Sequence, residues 1–157
     1  MNAKRGLRID SMINERAVKL SIPALPEYVD LVRLTLYGIA TKLKFTFEEI
    51  EDMKVAVSEA CNNAVLHAYG DAAGKIDVTF ETFDDEMIIT VRDFGKSFVV
   101  NEKKETPVMH GKAIDEIRSG GLGLYLMQAL MDRVEVKQDD GTAVILTKKR
   151  MASEETA

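Results

Sequence analysis

The sequence predicts an α+β sandwich, a mixed and mostly antiparallel sheet carrying helices on one face, and three observations carry that prediction. Helical periodicity dominates residues 27 to 69. Short alternating runs separated by turn residues dominate the remainder, apart from one helical stretch near residue 122. The regular βαβ alternation that a doubly wound parallel sheet needs is missing. A chain of 157 residues suits one domain and can bury a substantial core.

Taken in order, residues 1–16 carry little periodicity and read as a flexible arm ahead of one domain spanning 17–150. Ala17-Val18-Lys19-Leu20-Ser21-Ile22 alternates apolar and polar residues, the pattern of a half-buried strand that Pro23 and Pro26 end. From 27 to 42 a helix is predicted, with Val29, Val32, Leu36, Ile39 and then Leu43 at helical spacing and Glu27 near its positive end. A second helix begins after Thr46, where Glu49 three residues on completes a capping box, and ends near Tyr69-Gly70. Its apolar stripe is Ile50, Met53, Val57, Ala60 and Ala64. Ile76 to Phe80 and Met87 to Val91 read as strands joined around Asp84-Asp85. Residues 96 to 119 have only weak periodicity, and a connection of that length inside a domain reads as a functional lid or a disordered segment. A helix from Leu122 to Met131 follows, then two strands about the turn Asp139-Asp140-Gly141. Residues 151–157 read as a flexible tail.

Composition narrows the function classes. The chain is 46% apolar and 30% charged, as globular proteins are, and no window has the roughly 18 apolar residues of a spanning helix. The basic start, Lys4-Arg5-Gly6-Leu7-Arg8, has no apolar stretch behind it, so a secretory signal is not expected and a cytoplasmic location is. A formal charge of −5 argues against direct nucleic-acid binding, which wants a basic face. Cys61 is the one cysteine; with Ala60, Ala64 and Val65 around it, a buried inert thiol is expected.

The chemistry concentrates on the second helix. Glu59, Asn63 and His67 are spaced by four and so stack on one face, about 40° apart per step. Such a stripe suits a plain polar helix face equally well as a site with Glu59 as a carboxylate base and Asn63 as a neutral oxygen ligand. Magnesium fits the second reading, because it takes one or two protein oxygens and completes its shell with water and phosphate. Downstream, Asp93-Phe94-Gly95 follows a strand, where a carboxylate could accept from an exocyclic amine and a glycine lets the backbone approach a flat ligand. Ser119-Gly120-Gly121-Leu122-Gly123 opens a helix whose free N–H groups favour phosphate. Two lookalikes fail. Asp93-Phe94-Gly95 lacks the preceding glycine loop and the catalytic loop of eukaryotic-type protein kinases, and Gly70 to Ile76 is one residue short of a P-loop.

Together these segments resemble the ATPase family shared by gyrase, Hsp90, histidine kinases and MutL, and within it the bacterial anti-sigma factor serine-protein kinases of the anti-sigma-B type. The resemblance runs from about Leu20 to Lys148 on Pro26-Glu27-Tyr28-Val29 with Arg33-Leu34-Thr35-Leu36, on Ala56 to Cys61 with Asn63-Ala64-Val65 and His67-Ala68-Tyr69, and on Gly120 to Met127. It implies a layered sandwich with residues 96 to 119 as nucleotide lid, ATP and Mg2+ as cofactors, Glu59 as general base and Asn63 as the Mg2+ ligand. It further implies Asp93 at the adenine amine with Gly95 beside the base, and Ser119, Gly121 and Gly123 near the phosphates. Partners implied are a sigma-B-like sigma factor, a small anti-anti-sigma protein phosphorylated on serine, and a second copy in a homodimer to which the helix at 27 to 43 contributes. The alternatives are a non-catalytic binding module and a detached histidine-kinase catalytic module. Two departures stand out: Ser97 occupies the site of a third glycine, and the family's last-strand Thr falls at Ala143. Thr142 is adjacent, but a one-residue shift on a strand points to the other face, which leaves it outside the predicted site.

Overall fold

The structure is a computed structural model that describes residues 16–95 and 121–151. The predicted arm up to residue 15, the predicted 96 to 119 lid with Ser119, and the predicted tail beyond residue 151 therefore lie outside the described residues. Five strands form one sheet in the order β1-β2-β3-β5-β4: β1 Val18–Pro23, β2 Lys75–Thr82, β3 Glu86–Asp93, β4 Arg133–Gln138 and β5 Thr142–Lys149. Every described pair is antiparallel, so the expected mixture reduces to an antiparallel sheet. Helices α1 (Val29–Ala40), α2 (Phe47–His67) and α3 (Leu122–Leu130) complete the fold.

Local chemistry explains where the elements start and stop. Pro23 is the last residue of β1 rather than a residue beyond it, which an edge strand tolerates because its outer N–H positions need no ladder partner. The first predicted helix is shorter than its periodicity, since 3-10 turns at Pro26–Tyr28 and Thr41–Leu43 take up its ends. Lys44 then turns the chain with φ 62°. At α2 the capping box is present in both directions: Thr46 Oγ1 accepts from Glu49 N at 3.1 Å, and Glu49 Oε1 accepts from Thr46 N at 2.8 Å. Gly70 at φ +57° follows the helix, a conformation cheap only for glycine. Asp140 and Gly141, both at positive φ, make the β4–β5 turn.

The core lies between the inner face of the sheet and α2, with α1 and α3 beside that helix. Met87, Ile89 and Val91 alternate inward from β3, and Ile76, Val78 and Phe80 do so from β2. They meet Met53, Val57, Ala60 and Ala64 of α2 and Val32 and Leu36 of α1 in one cluster. Two polar ties fasten the last strand to α2. Lys148 Nζ reaches Asp52 Oδ2 at 3.2 Å, and the N–H of Met151 donates to Glu49 Oε2 at 2.8 Å. Cys61 is buried there, and burial pushes its thiol up to about 12, against a smaller opposing pull from Arg33, so the expected inert role holds. No helix among the described residues is long and apolar enough to cross a membrane.

Glu49 thus serves two backbone donors at once, whereas Thr46 serves one. Thr46→Ala is expected to cost about 1 kcal/mol, as lost caps do, and Glu49→Ala about 2–3 kcal/mol, because two partly buried N–H groups lose their acceptor. Urea unfolding midpoints of the two variants check the order; equal losses would show that the Met151 tie contributes nothing.

Candidate nucleotide site

Helix α2 carries two stations. At the first, Glu59 and Asn63 face the start of α3, where Gly123 is buried. A methyl group placed on Gly123 would lie 3.0 Å from Glu59 Oε2 and 3.5 and 3.6 Å from the Asn63 amide atoms. A side chain there would press on the Glu59 carboxylate, so a carboxylate, an amide and bare backbone share one spot. Gly121 sits immediately before, as the N-cap of α3, and among the described residues no side chain caps the first N–H groups of that helix.

The second station lies at the far end of α2. Asp93 is the last residue of β3 and only 5% exposed. Its Oδ1 accepts from the N–H of Gly95 at 3.1 Å and of Thr142 at 3.3 Å. Burial raises its carboxyl above the usual range, with those two hydrogen bonds and Arg92 pulling the other way. Gly95 packs on the backbone carbonyl of Ala68, the residue that closes α2, and any Cβ there would overlap it. The stations are therefore on one rigid element, Asn63 about 7 Å and Glu59 about 13 Å from Ala68 along the axis at 1.5 Å per residue. An elongated ligand with a hydrogen-donating ring at one end and an anion at the other matches that layout.

Of the predicted residues, Glu59, Asn63 and Gly123 come together, Asp93 and Gly95 form the second group, Gly121 leads into α3, and Ser119 is outside the described residues. Thr142 is the residue the sequence reading left out. It pairs directly with Asp93, so both side chains share the inner face, while Ala143 pairs with Arg92 on the outer one. The Thr142 hydroxyl is buried and has no partner among the described residues, and buried hydroxyls are as a rule hydrogen-bonded. Pairing with β3 was the missing signal: Ala143 and Ile145 are as apolar as Val144 and Leu146, so composition alone could not choose the inward parity.

A cleft of about 250 Å³ opens at the opposite end of β2 and β3, lined by Arg16, Lys42, Lys44 and Arg150 but also by Asp84 and Glu86. Arg150 is engaged there with the Asp84 carbonyl at 3.2 Å. None of the stations' residues lines it.

The chain is similar to known proteins over most of its length. The histidine kinase-like ATPase domain matches residues 22–148. The chain is 46% identical over 134 residues to serine-protein kinase RsbW of Bacillus velezensis, covering 83% of this chain and 84% of that one. It is 44% identical over 138 residues to RsbW of Bacillus subtilis, 86% of each. The RsbU and RsbW domains of a Mycobacterium tuberculosis protein share the fold, with a TM-score of 0.62 at 21% identity over 85% of this chain and 32% of that one.

Asp93 makes a test in pH. Its folded carboxyl keeps a proton to higher pH than the unfolded one, so stability falls as pH rises from the ordinary value of 3.8 through the raised folded value. Asp93→Asn should therefore raise the melting temperature at neutral pH, with the gain fading as pH drops through that window. A gain that stayed constant into acid would show that burial of the charge is not the cause.

Proposed function

We propose a function for this chain from one premise: it belongs to the histidine kinase-like ATPase family and, within it, to the RsbW serine-protein kinases. It is a protein-serine kinase that uses ATP, and it is the anti-sigma component of a partner switch. One partner is a stress-type sigma factor that it holds inactive, and the other is an anti-anti-sigma protein whose serine it phosphorylates. The observation that carries the site assignment is the meeting of Glu59, Asn63 and the bare backbone of Gly123.

In this reading Asp93 reads the adenine. Both of its recorded hydrogen bonds fall on Oδ1, which leaves Oδ2 to accept from the exocyclic amine, with the Thr142 hydroxyl beside it. Gly95 keeps the backbone next to the ring low. The phosphates run along α2 toward the N-terminus of α3, where Gly121 and Gly123 present N–H groups and the favourable end of the helix dipole. Ser119 is assigned to the same neighbourhood. At the reacting end, Glu59 takes the proton of the incoming serine Oγ as it bonds to the γ-phosphorus, and the bond to the β-phosphate oxygen breaks to release ADP. Asn63 offers a neutral oxygen that fits Mg2+, and among the described residues no group of three or more His, Cys, Asp or Glu forms a rival cage. Mg2+ held there supplies neutralisation of phosphate charge.

We assign the protein to the cytoplasm, where its sigma-factor partner works, and α1 to a homodimer. That helix buries Val29, Val32, Leu36 and Ala40, yet it also exposes Leu31 at 45%, Leu34 at 67% and Tyr37 at 49%. Three such side chains at a spacing of three form an apolar stripe suited to a second copy.

Two results test these assignments. Glu59→Ala should lower serine phosphorylation by at least about a hundredfold, the usual worth of a general base, while ATP binding persists. Labelled ATP with the small partner reads the first, and acid-stable, alkali-labile phosphate identifies serine rather than histidine; transfer at the normal rate would sink the base assignment. Leu34→Glu should convert a dimer to monomer in equilibrium sedimentation. If it stays dimeric but no longer holds its sigma factor, the stripe belongs to that partner instead.

A further inference from the structure

Tyr69, two residues past the end of α2, has no part in the chemistry above, yet its hydroxyl makes two backbone hydrogen bonds next to Asp93. Its hydroxyl accepts from the backbone N–H of Phe94 at 2.8 Å and donates to the carbonyl of Lys75 at 2.5 Å. One oxygen thus ties the exit of β3 and the entry of β2 to the end of the helix that bears Glu59 and Asn63. The ring is boxed in as well, since any Cβ on Gly74 would overlap it.

The tie falls where the sheet stops helping. Asp93 is the last paired residue of β3, opposite Ile76 and Thr142. Past it, the hydrogen bonds that hold backbone N–H groups are those of Phe94 to Tyr69 Oη and of Gly95 to Asp93 itself. The Phe94 side chain adds a softer hold, with the Lys75 ammonium 5.1 Å and the Arg92 guanidinium 5.2 Å from its ring centre. Tyr69 Oη thus ties this segment to the chain just past the end of α2. Phe94 separates Asp93 from Gly95, so the peptide Tyr69 grips is the one from which both are set.

We propose that Tyr69 is a positioning residue for recognition of the adenine ring: by fixing the Phe94 peptide against α2, it sets the Asp93 carboxylate relative to Glu59 and Asn63. The proposal rests on the reading of Asp93 as the acceptor of the exocyclic amine. Loss of the hydroxyl leaves the ring and its packing in place and frees the Phe94 N–H and the Lys75 carbonyl. The consequence is selective: a nucleotide that offers the amine loses affinity, and one that offers a carbonyl there loses little.

The test compares ATP with inosine triphosphate, in which a carbonyl replaces the amine, by calorimetric titration of the full chain and of Tyr69→Phe. For ATP the affinity should fall roughly tenfold, the scale of one or two lost hydrogen bonds, and for inosine triphosphate far less, so that preference for ATP narrows. In steady-state phosphorylation the KM for ATP should rise with kcat nearly unchanged, because Glu59 and Asn63 lie outside the reach of the tie. Gly74→Ala displaces the ring by an independent route and should narrow the preference in the same way; it carries the test alone if Tyr69→Phe fails to fold. Equal losses for the two nucleotides, or no loss for either, overturn the role of Tyr69. A parent protein with no preference for ATP over inosine triphosphate overturns the Asp93 reading beneath it.

Discussion

The fold depends on α2 being satisfied on three sides at once. One side buries Met53, Val57, Ala60 and Ala64 in the core, each apolar side chain of leucine size contributing about 1.5–3 kcal/mol. A second meets α1, where Arg33 donates to Ser58 Oγ at 2.9 Å and Ser58 in turn donates back to the Lys54 carbonyl at 2.6 Å. The third carries Glu59 and Asn63 against the glycine backbone of α3. Because the first two sides fix the helix in rotation and along its axis, the third is presented without choice. Side chains on such an element are held more precisely than they could be on a loop.

The same helix carries the cost of the site at its other end. Asp93 is a carboxylate placed inside the core layer, against its solvation, and it persists because Gly95 and Thr142 donate to it from two different chain segments. Gly141 is needed beside it, since its φ of +120° and its contact with the Asp93 carbonyl leave no room for a side chain. A buried acid beside a buried hydroxyl that has no partner among the described residues does little for stability alone. It is coherent as a socket for a polar ring edge, and in the proposed reading the nucleotide spans the stretch of α2 from Ala68 back to Glu59, about 13 Å at 1.5 Å per residue.

Much of this was legible in the chain before any fold was known. The capping box at Thr46 and Glu49, the stripe from Ile50 to Ala64, the four-residue spacing of Glu59 and Asn63 and the glycines before Leu122 are all local signals, and the helices formed where those signals put them. The strands formed where alternation put them too, though β2 and β3 each run further, to Thr82 and Asp93, because pairing extends a ladder beyond its most apolar residues. Less legible were the 3-10 ends of α1, where periodicity continues although the backbone has tightened, and Pro23, which reads as a stop until the strand is known to be an edge.

By itself the sequence determined the element types, the family pattern and which side chains bring chemistry, because helix period, caps and turn residues act over a few positions. Only the tertiary structure decided which of Thr142 and Ala143 faces Asp93, how closely Gly123 approaches Glu59, and that Tyr69 reaches Phe94. Each of these joins segments 25 or more residues apart, and the register of one strand against another sets the face of every side chain on it. A local pattern cannot encode that register when both faces of β5 are equally apolar; the pairing with β3 supplies it.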